Sequence, residues 1–123
     1  MLLKNHTGIV GIHVHCGNVY YSLRTIDLFS RTSVSVVLGG PEATERYSFF
    51  LQQFPNLLGV IRGEGDNAFI QLINALLRSD TFDRSQIHNL VYVENDKINC
   101  TQNVSVNINK LPFPKWGLFD LSQ

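Results

Sequence analysis

Short, continuous apolar segments alternate with amphipathic segments through the first two thirds of the chain. The continuous segments are rich in β-branched residues, which is typical of strands that are covered on both faces. They span residues 8–15, 33–38 and 57–61. The amphipathic segments, with apolar residues at helical spacing, span residues 19–31, 43–54 and 67–77. This alternation predicts a parallel sheet with right-handed crossovers, and Asp66 is the predicted N-cap of the third helix.

The pattern changes beyond residue 88. Two short β-type segments, residues 89–93 and 97–101, lie on either side of a polar stretch and predict an antiparallel hairpin. The tail, residues 111–121, has two prolines among large apolar groups, and it is predicted to be a linker. The predicted fold class is therefore α/β, a three-layer Rossmann- or flavodoxin-like parallel sheet followed by an antiparallel hairpin.

A polar turn that contains glycine follows each predicted parallel strand. These turns are residues 13–18, 39–41 and 62–66. Ligands of open α/β sheets bind beyond the carboxyl ends of the strands. Glycine lets the backbone approach a flat or bulky ligand closely. The three turns therefore predict one crevice at one edge of the sheet.

Two other chemistries are weaker interpretations of the same turns. Residues 63–68 fit the G-x-G-x-x-A pattern of dinucleotide sites. Glu64 and Asp66, however, would place two carboxylates beside a pyrophosphate. His13 and His15 alternate and so face one side of a strand. The nearest further ligand is Cys16, which is too few for a closed metal site, so no metal ligand is predicted.

Composition narrows the class of protein. The 123 residues are 44% apolar, enough for the core of one domain. Ten acidic and ten basic residues balance, which argues against nucleic-acid and membrane partners. The N-terminus lacks the apolar core of a signal peptide, so a cytoplasmic location is expected. Cys16 and Cys100 are predicted to be free and mostly buried thiols.

Taken together, the turns and the tail resemble the cobalamin-binding domains that precede the radical-SAM domain in cobalamin-dependent radical-SAM enzymes. Residues 10–18, 36–44 and 111–121 match the family's segments, and residues 62–66 look like its R-G-E-G-E loop. The likeness runs in order and with similar spacing over nearly the whole chain. It implies a flavodoxin-like sheet that presents cobalamin to a neighbouring radical-SAM site.

The resemblance also implies which residues contact the cofactor. Residues 39 and 40 would lie against the corrin or the nucleotide tail, and His13 stands where the family often has serine. The implied cofactor-binding residues are His13, His15, Asn18, Gly39, Gly40, Arg62, Gly63, Glu64 and Gly65. On the same basis, residues 1–110 are expected to form a partial cobalamin-binding-like domain. Residues 111–123 are expected to form a linker toward a radical-SAM domain.

Two family motifs are absent from the sequence. These are D-x-H-x-x-G, which carries the lower axial histidine, and the cluster motif C-x-x-x-C-x-x-C. The chain is therefore expected to be a piece of a larger enzyme, with S-adenosylmethionine and the [4Fe–4S] cluster bound only by the absent domain. An incomplete sheet would expose a backbone edge, so a homodimer of the piece is also expected.

The function expected from the resemblance is cofactor binding without a catalytic residue in this chain. The parent would perform methyl transfer or a related radical-SAM reaction, with the chemistry supplied by its cofactors. One alternative is a degenerate domain that binds no cobalamin and only packs against the catalytic domain of the parent. Another is a flavin- or nucleotide-binding fragment of the same architecture.

Overall fold

A computed structural model of the protein describes residues 8–78, 83–113 and 115, and five strands in it form one sheet in the order of the sequence. The strands are β1 (Ile9–His13), β2 (Ser35–Gly39), β3 (Gly59–Ile61), β4 (Leu90–Glu94) and β5 (Lys97–Cys100). β1, β2 and β3 are parallel, whereas β4 is antiparallel to β3 and β5 is antiparallel to β4. The predicted parallel sheet with a C-terminal hairpin is confirmed.

Four helices connect the strands. They are α1 (Val19–Phe29), α2 (Pro41–Glu45), α3 (Tyr47–Gln53) and α4 (Asp66–Arg78). The single helix predicted over residues 43–54 is wrong, because the backbone at Arg46 leaves helical geometry (φ −117°, ψ 27°) and separates α2 from α3. The predicted N-cap is also displaced. Asp66 is the first residue of α4, and the carbonyl of Gly65 accepts from the amide of Phe69 at 2.8 Å.

The helices cover both faces of the sheet, which confirms the three-layer arrangement. The crossovers β1–β2 and β2–β3 run in the same direction, so their right-handedness places α1, α2 and α3 on one face. The buried cluster on that face is Val14, Ile26, Val36, Leu38, Ala43, Phe50, Leu51, Leu57, Val60 and Val91. The cluster on the α4 face is Val37, Ile61, Ala68, Leu72, Ile87, Leu90 and Tyr92.

The strands at the two edges of the sheet differ in coverage and charge. β1 is only half-buried, with Gly11 and His13 exposed, so the predicted coverage of both its faces is wrong. The ring of Phe69 from α4 lies beneath β1, and a Cβ at Gly11 would be 3.2 Å from that ring. At the opposite edge, β4 ends at Glu94 and β5 begins at Lys97, and these two exposed charged residues face each other across the hairpin.

The hairpin is closed by a two-residue turn. Asn95 and Asp96 both have positive φ, 51° and 59°, as a type I′ turn requires. The chain beyond β5 is held by Asn89, which is 3% exposed. Its side chain donates to the carbonyl of Val104 at 2.9 Å and accepts from the amide of Val104 at 2.6 Å.

Two observations bear on the wider organisation of the chain. No helix within the described residues combines the length and the hydropathy that a bilayer crossing needs. The predicted linker, residues 111–123, lies mostly outside the described residues, so the boundary at residue 110 stays a prediction.

Candidate functional site

The three glycine-containing turns meet at the carboxyl edge of the parallel strands. We call this surface the rim, and it comprises residues 13–18, 39–44 and 62–66. The amide of Val14 donates to the carbonyl of Gly39 at 2.8 Å, and the amide of Glu42 donates to the carbonyl of Val14 at 3.2 Å. The amide of Gly63 donates to the hydroxyl of Thr44 at 3.3 Å. The fold therefore gathers the three predicted turns side by side.

The turn after β1 presents two exposed imidazoles. The rings of His13 and His15 have centroids 6.0 Å apart and are tilted by 47°. Nδ1 of His15 accepts from the amide of Gly17 at 3.1 Å. In a neutral ring this assigns the proton to Nε2, so His15 offers a donor to solvent. No group of three or more His, Cys, Asp or Glu side chains in residues 8–78, 83–113 and 115 is placed to hold a metal ion.

Asn18 shapes this turn. Its amide nitrogen donates to the carbonyl of His13 at 2.8 Å, and its oxygen accepts from the amide of His15 at 2.9 Å. The same residue precedes α1, and its backbone carbonyl accepts from the amide of Ser22 at 2.9 Å. The observed role of Asn18 is therefore to brace the strand end that carries both histidines. A contact between Asn18 and a ligand stays a prediction.

The glycine that ends β2, Gly39, and the glycine that follows it, Gly40, have different surroundings. Gly40 has φ 94°, and a Cβ there would be 2.6 Å from the carbonyl oxygen of Val14 and 2.9 Å from its amide nitrogen. The neighbouring turn alone therefore requires glycine at residue 40. At Gly39 a Cβ would meet nothing closer than the carbonyl oxygen of Ile61 at 3.9 Å, an ordinary contact.

The turn after β3 divides into an open part and a braced part. Gly63 has φ 65° with nothing within 4 Å of an added Cβ, and Glu64 beside it is exposed. Arg62 instead reaches the hairpin, where its Nη2 donates to the carbonyl of Thr101 at 2.9 Å. Its amide donates to the carbonyl of Asn89 at 2.8 Å, while its buried Nε has no hydrogen-bond partner within the described residues. Arg62 thus braces the turn against the hairpin, and a contact between Arg62 and a cofactor stays a prediction. Gly65, in the same turn, is half-buried, and a Cβ added there would be 3.6 Å from the side chain of Ile61.

Neither of two cavities in the described part of the chain is lined by a residue of the rim. A groove of about 400 Å³ lies at the opposite, amino-terminal end of the sheet, between the ends of α1 and α3. It is lined in part by Ile26, Asp27, Ser35, Phe54 and Leu57. A second cavity of about 200 Å³ lies between α4 and residues 104–106. The sequence predicted neither, because both are formed where segments distant in the chain come together.

The titratable groups with shifted pKa values also lie outside the rim. Burial raises the pKa of the Tyr92 phenol on β4, and the Glu94 carboxylate adds to the rise. Hydrogen bonds from the side chain and backbone of Ser85 lower the pKa of the Asp83 carboxyl group. Neither Tyr92 nor Asp83 belongs to the rim. The rim therefore gains no acid or base with a shifted pKa from these two residues.

Both thiols differ from their predicted environment. Cys16 lies in the turn after β1 and Cys100 ends β5, and both are free and exposed. The prediction that they are mostly buried is wrong, because Cys16 lies in an exposed turn and Cys100 lies at the exposed end of the edge strand β5.

The fold defines the class of protein as α/β with a flavodoxin-like sheet, and three turns lie side by side at the carboxyl ends of its parallel strands. No family model matches the chain. Over 127 aligned positions that include the whole chain, it is 29% identical to the uncharacterized methyltransferase PH0819 of Pyrococcus horikoshii. The chain spans 27% of the length of that protein.

A solved structure shares the fold. It is that of the cobalamin-dependent S-adenosylmethionine radical enzyme OxsB with aqua-cobalamin bound. The match has a TM-score of 0.75 and covers 84% of this chain at 18% sequence identity. It covers 15% of that longer chain. At this identity the likeness shows the fold, which agrees with the sheet order and layers described above.

Proposed function

We propose that this chain is a cobalamin-binding module of a larger radical-SAM enzyme of the methyltransferase type. The observation that carries the proposal is the joining of three turns at the carboxyl edge of a sheet whose fold matches part of a cobalamin-dependent enzyme. The similarity to an uncharacterized methyltransferase supports the same class of parent reaction. When bound, cobalamin would supply a methyl group to the reaction of the parent, and this chain would hold the cofactor.

Several features of the rim support the proposal that it binds a large planar ligand. Gly39 and Gly63 leave open backbone surface, where the protein itself would tolerate a Cβ without a steric clash. The exposed imidazoles of His13 and His15 and the carboxylate of Glu64 are available to hydrogen-bond the amide side chains of a corrin. Arg62 and Asn18 are already engaged within the protein, so they would position these groups rather than contact the cofactor.

One specific observation favours the alternative of a domain that has lost cofactor binding. Gly40 is required by its contact with Val14, so its presence does not depend on a ligand. His13, in the place of a smaller residue, also occupies space at the rim. On this alternative the same surface would serve only to pack against the catalytic domain of the parent.

A titration with hydroxocobalamin separates these functions. We expect the corrin absorbance spectrum to shift on addition of the chain and the melting temperature to rise. Ligand at 100 times its Kd stabilises by about 2.7 kcal/mol. Parallel titrations with FMN test the flavin alternative. Absence of any response to hydroxocobalamin would contradict the proposal and support the non-binding alternative.

A matched pair of variants assigns the response to the rim. Gly39→Val fills the carboxyl end of β2, whereas Gly8→Val adds the same side chain before β1, where nothing lies within 4 Å. We expect both variants to fold, and only Gly39→Val to weaken hydroxocobalamin binding, by tenfold or more. Equal binding by both variants would place the cofactor elsewhere on the molecule.

A further inference from the structure

Asn89, the residue directly before β4, has a buried side chain and a left-handed backbone. It is 3% exposed and has φ 58°. A buried carboxamide is costly unless it is hydrogen-bonded. Its Oδ1 accepts from the amide of Val104 at 2.6 Å, and its Nδ2 donates to the carbonyl of Val104 at 2.9 Å and to that of Glu64 at 3.5 Å. One side chain therefore joins two segments that are 25 positions before it and 15 positions after it in the chain.

The earlier of these segments is the turn of the rim after β3, residues 62–66. The amide of Arg62 donates to the backbone carbonyl of Asn89 at 2.8 Å, and this bond fixes the start of the turn. At its tip, Gly63 has no side chain and Glu64 is exposed, so apolar packing contributes little there. The conformation of the turn therefore depends on hydrogen bonds from its neighbours, and Asn89 supplies those on the side of β4.

The later segment is the chain that leaves the sheet after β5, and we call residues 101–106 the exit segment. Its backbone carbonyls accept from the amide of Asn89 and from Nη2 of Arg62, both at 2.9 Å. Residues 102–105 are exposed, and a cavity of about 200 Å³ lies between the end of the segment and α4. Hydrogen bonds rather than close packing therefore hold the exit segment, and they come from the same two residues that hold the turn.

We propose that Asn89 is a positioning residue of the rim, whose buried carboxamide couples the conformation of residues 62–66 to that of the exit segment. This inference rests on the proposed function, since the affinity that the coupling would set is that of the rim for its cofactor. The bonds from Asn89 to Val104 are short, whereas its contact with Glu64 is long. A ligand that holds the turn against Asn89 strengthens the weaker contact and thereby fixes the exit segment. Coupling of this kind is reciprocal, so a fixed exit segment raises the affinity of the rim by the same factor.

Two substitutions break the coupling at different points. Asn89→Gly deletes the carboxamide, and glycine adopts the left-handed φ of this position without steric cost. Val104→Pro removes the amide that donates to Oδ1 and leaves residue 89 intact. The matched control is Asn95→Gly, the same substitution at a φ of 51° in the exposed turn of the hairpin.

Amide resonances of Gly63 and Gly65 in a ¹H–¹⁵N NMR spectrum, recorded without cofactor, test the coupling. We expect both resonances to move in Val104→Pro, and to move further than in Asn95→Gly. In the Asn89→Gly background, Val104→Pro is expected to cause no further movement, because its effect on the turn passes through the carboxamide. A role in stability alone would lower the melting temperature and leave the resonances of the folded turn in place. Resonances that stay in place in Val104→Pro, or that move equally with and without the carboxamide, overturn the coupling.

A titration with hydroxocobalamin tests the consequence for the ligand. We expect the Kd to rise about tenfold in Asn89→Gly and in Val104→Pro, within the usual range of such couplings, and to stay unchanged in Asn95→Gly. Equal affinity of the wild-type chain and Asn89→Gly overturns the positioning role and leaves the proposed function in place. A wild-type chain that binds no hydroxocobalamin contradicts the proposed function. The spectra recorded without cofactor then decide by themselves whether the two segments are coupled.

Discussion

The turns after β2 and β3 share a glycine with positive φ but differ in the surroundings of that glycine. Each turn has a glycine with positive φ, Gly40 at 94° and Gly63 at 65°, at the same edge of the sheet. Gly40 is enclosed by the backbone of the neighbouring turn, whereas Gly63 faces open space. A glycine after a strand can therefore be required by packing within the protein, or it can leave room for a ligand. Only the surroundings distinguish the two cases.

The largest effect is expected at the enclosed glycine. Gly40→Ala forces a left-handed φ on a residue with a Cβ and places that atom 2.6 Å from the carbonyl oxygen of Val14. We expect a loss of about 3–5 kcal/mol in the free energy of unfolding. Urea-induced unfolding followed by circular dichroism, at fixed protein concentration, measures it. A loss below 1 kcal/mol would show that the turn is not closed.

A smaller effect is expected where the side chain of Asn89 braces the chain beyond β5. Asn89→Ala leaves the amide and carbonyl of Val104 without the partner that holds them, and it removes a residue suited to the left-handed φ of 58°. The expected loss is about 2–3 kcal/mol in the same unfolding measurement. Asn99→Ala, on exposed β5, is the control, and we expect it to lose less than half as much. Equal losses would show that the brace contributes no stability of its own.

The open glycine is expected to be less sensitive than the enclosed one. Gly63→Ala strains the backbone at φ 65° but places its Cβ in empty space. The strain alone predicts a loss of about 1 kcal/mol in the free energy of unfolding. If Gly63→Ala and Gly40→Ala destabilise the protein equally, backbone strain explains both positions and the contrast between the turns fails.

The smallest effect is expected at Gly39. Its φ is not in the left-handed region, and its nearest neighbour to an added Cβ is 3.9 Å away. Gly39→Ala should therefore change the free energy of unfolding by no more than about 0.5 kcal/mol. A large loss would show that residue 39 is glycine for the sake of the fold, and it would remove one support for the proposed cofactor site.

Much of the fold follows from sequence pattern because strand order and direction depend on periodicity and connection length. The apolar segments around Val36 and Val60, with helices between them, fix parallel pairing, and the polar turn at Asn95 fixes the hairpin. The break at Arg46 has no such signal, since the apolar spacing of residues 43–54 continues through it. The exposure of β1 could not be predicted either, because its composition is that of a buried strand.

The position of the candidate site could be predicted from the sequence, whereas most of the contacts within it could not. Topology places the ends of three parallel strands at one edge, so the gathering of the turns follows from the sequence. That Gly40 is enclosed by Val14, and that Arg62 turns toward Thr101, depends on backbone approaches of a few ångströms between distant segments. No local pattern encodes those distances.

The two native thiols give the molecule an internal reporter. Cys16 belongs to the rim, and Cys100 lies on the strand at the far side of the sheet. In a timed reaction with maleimide, any guest seated on the three turns slows alkylation of the first thiol. The second thiol continues at its own rate and serves as the standard. Peptide mass spectrometry of the alkylated wild-type protein would therefore report occupancy of the rim by colourless ligands as readily as by coloured ones.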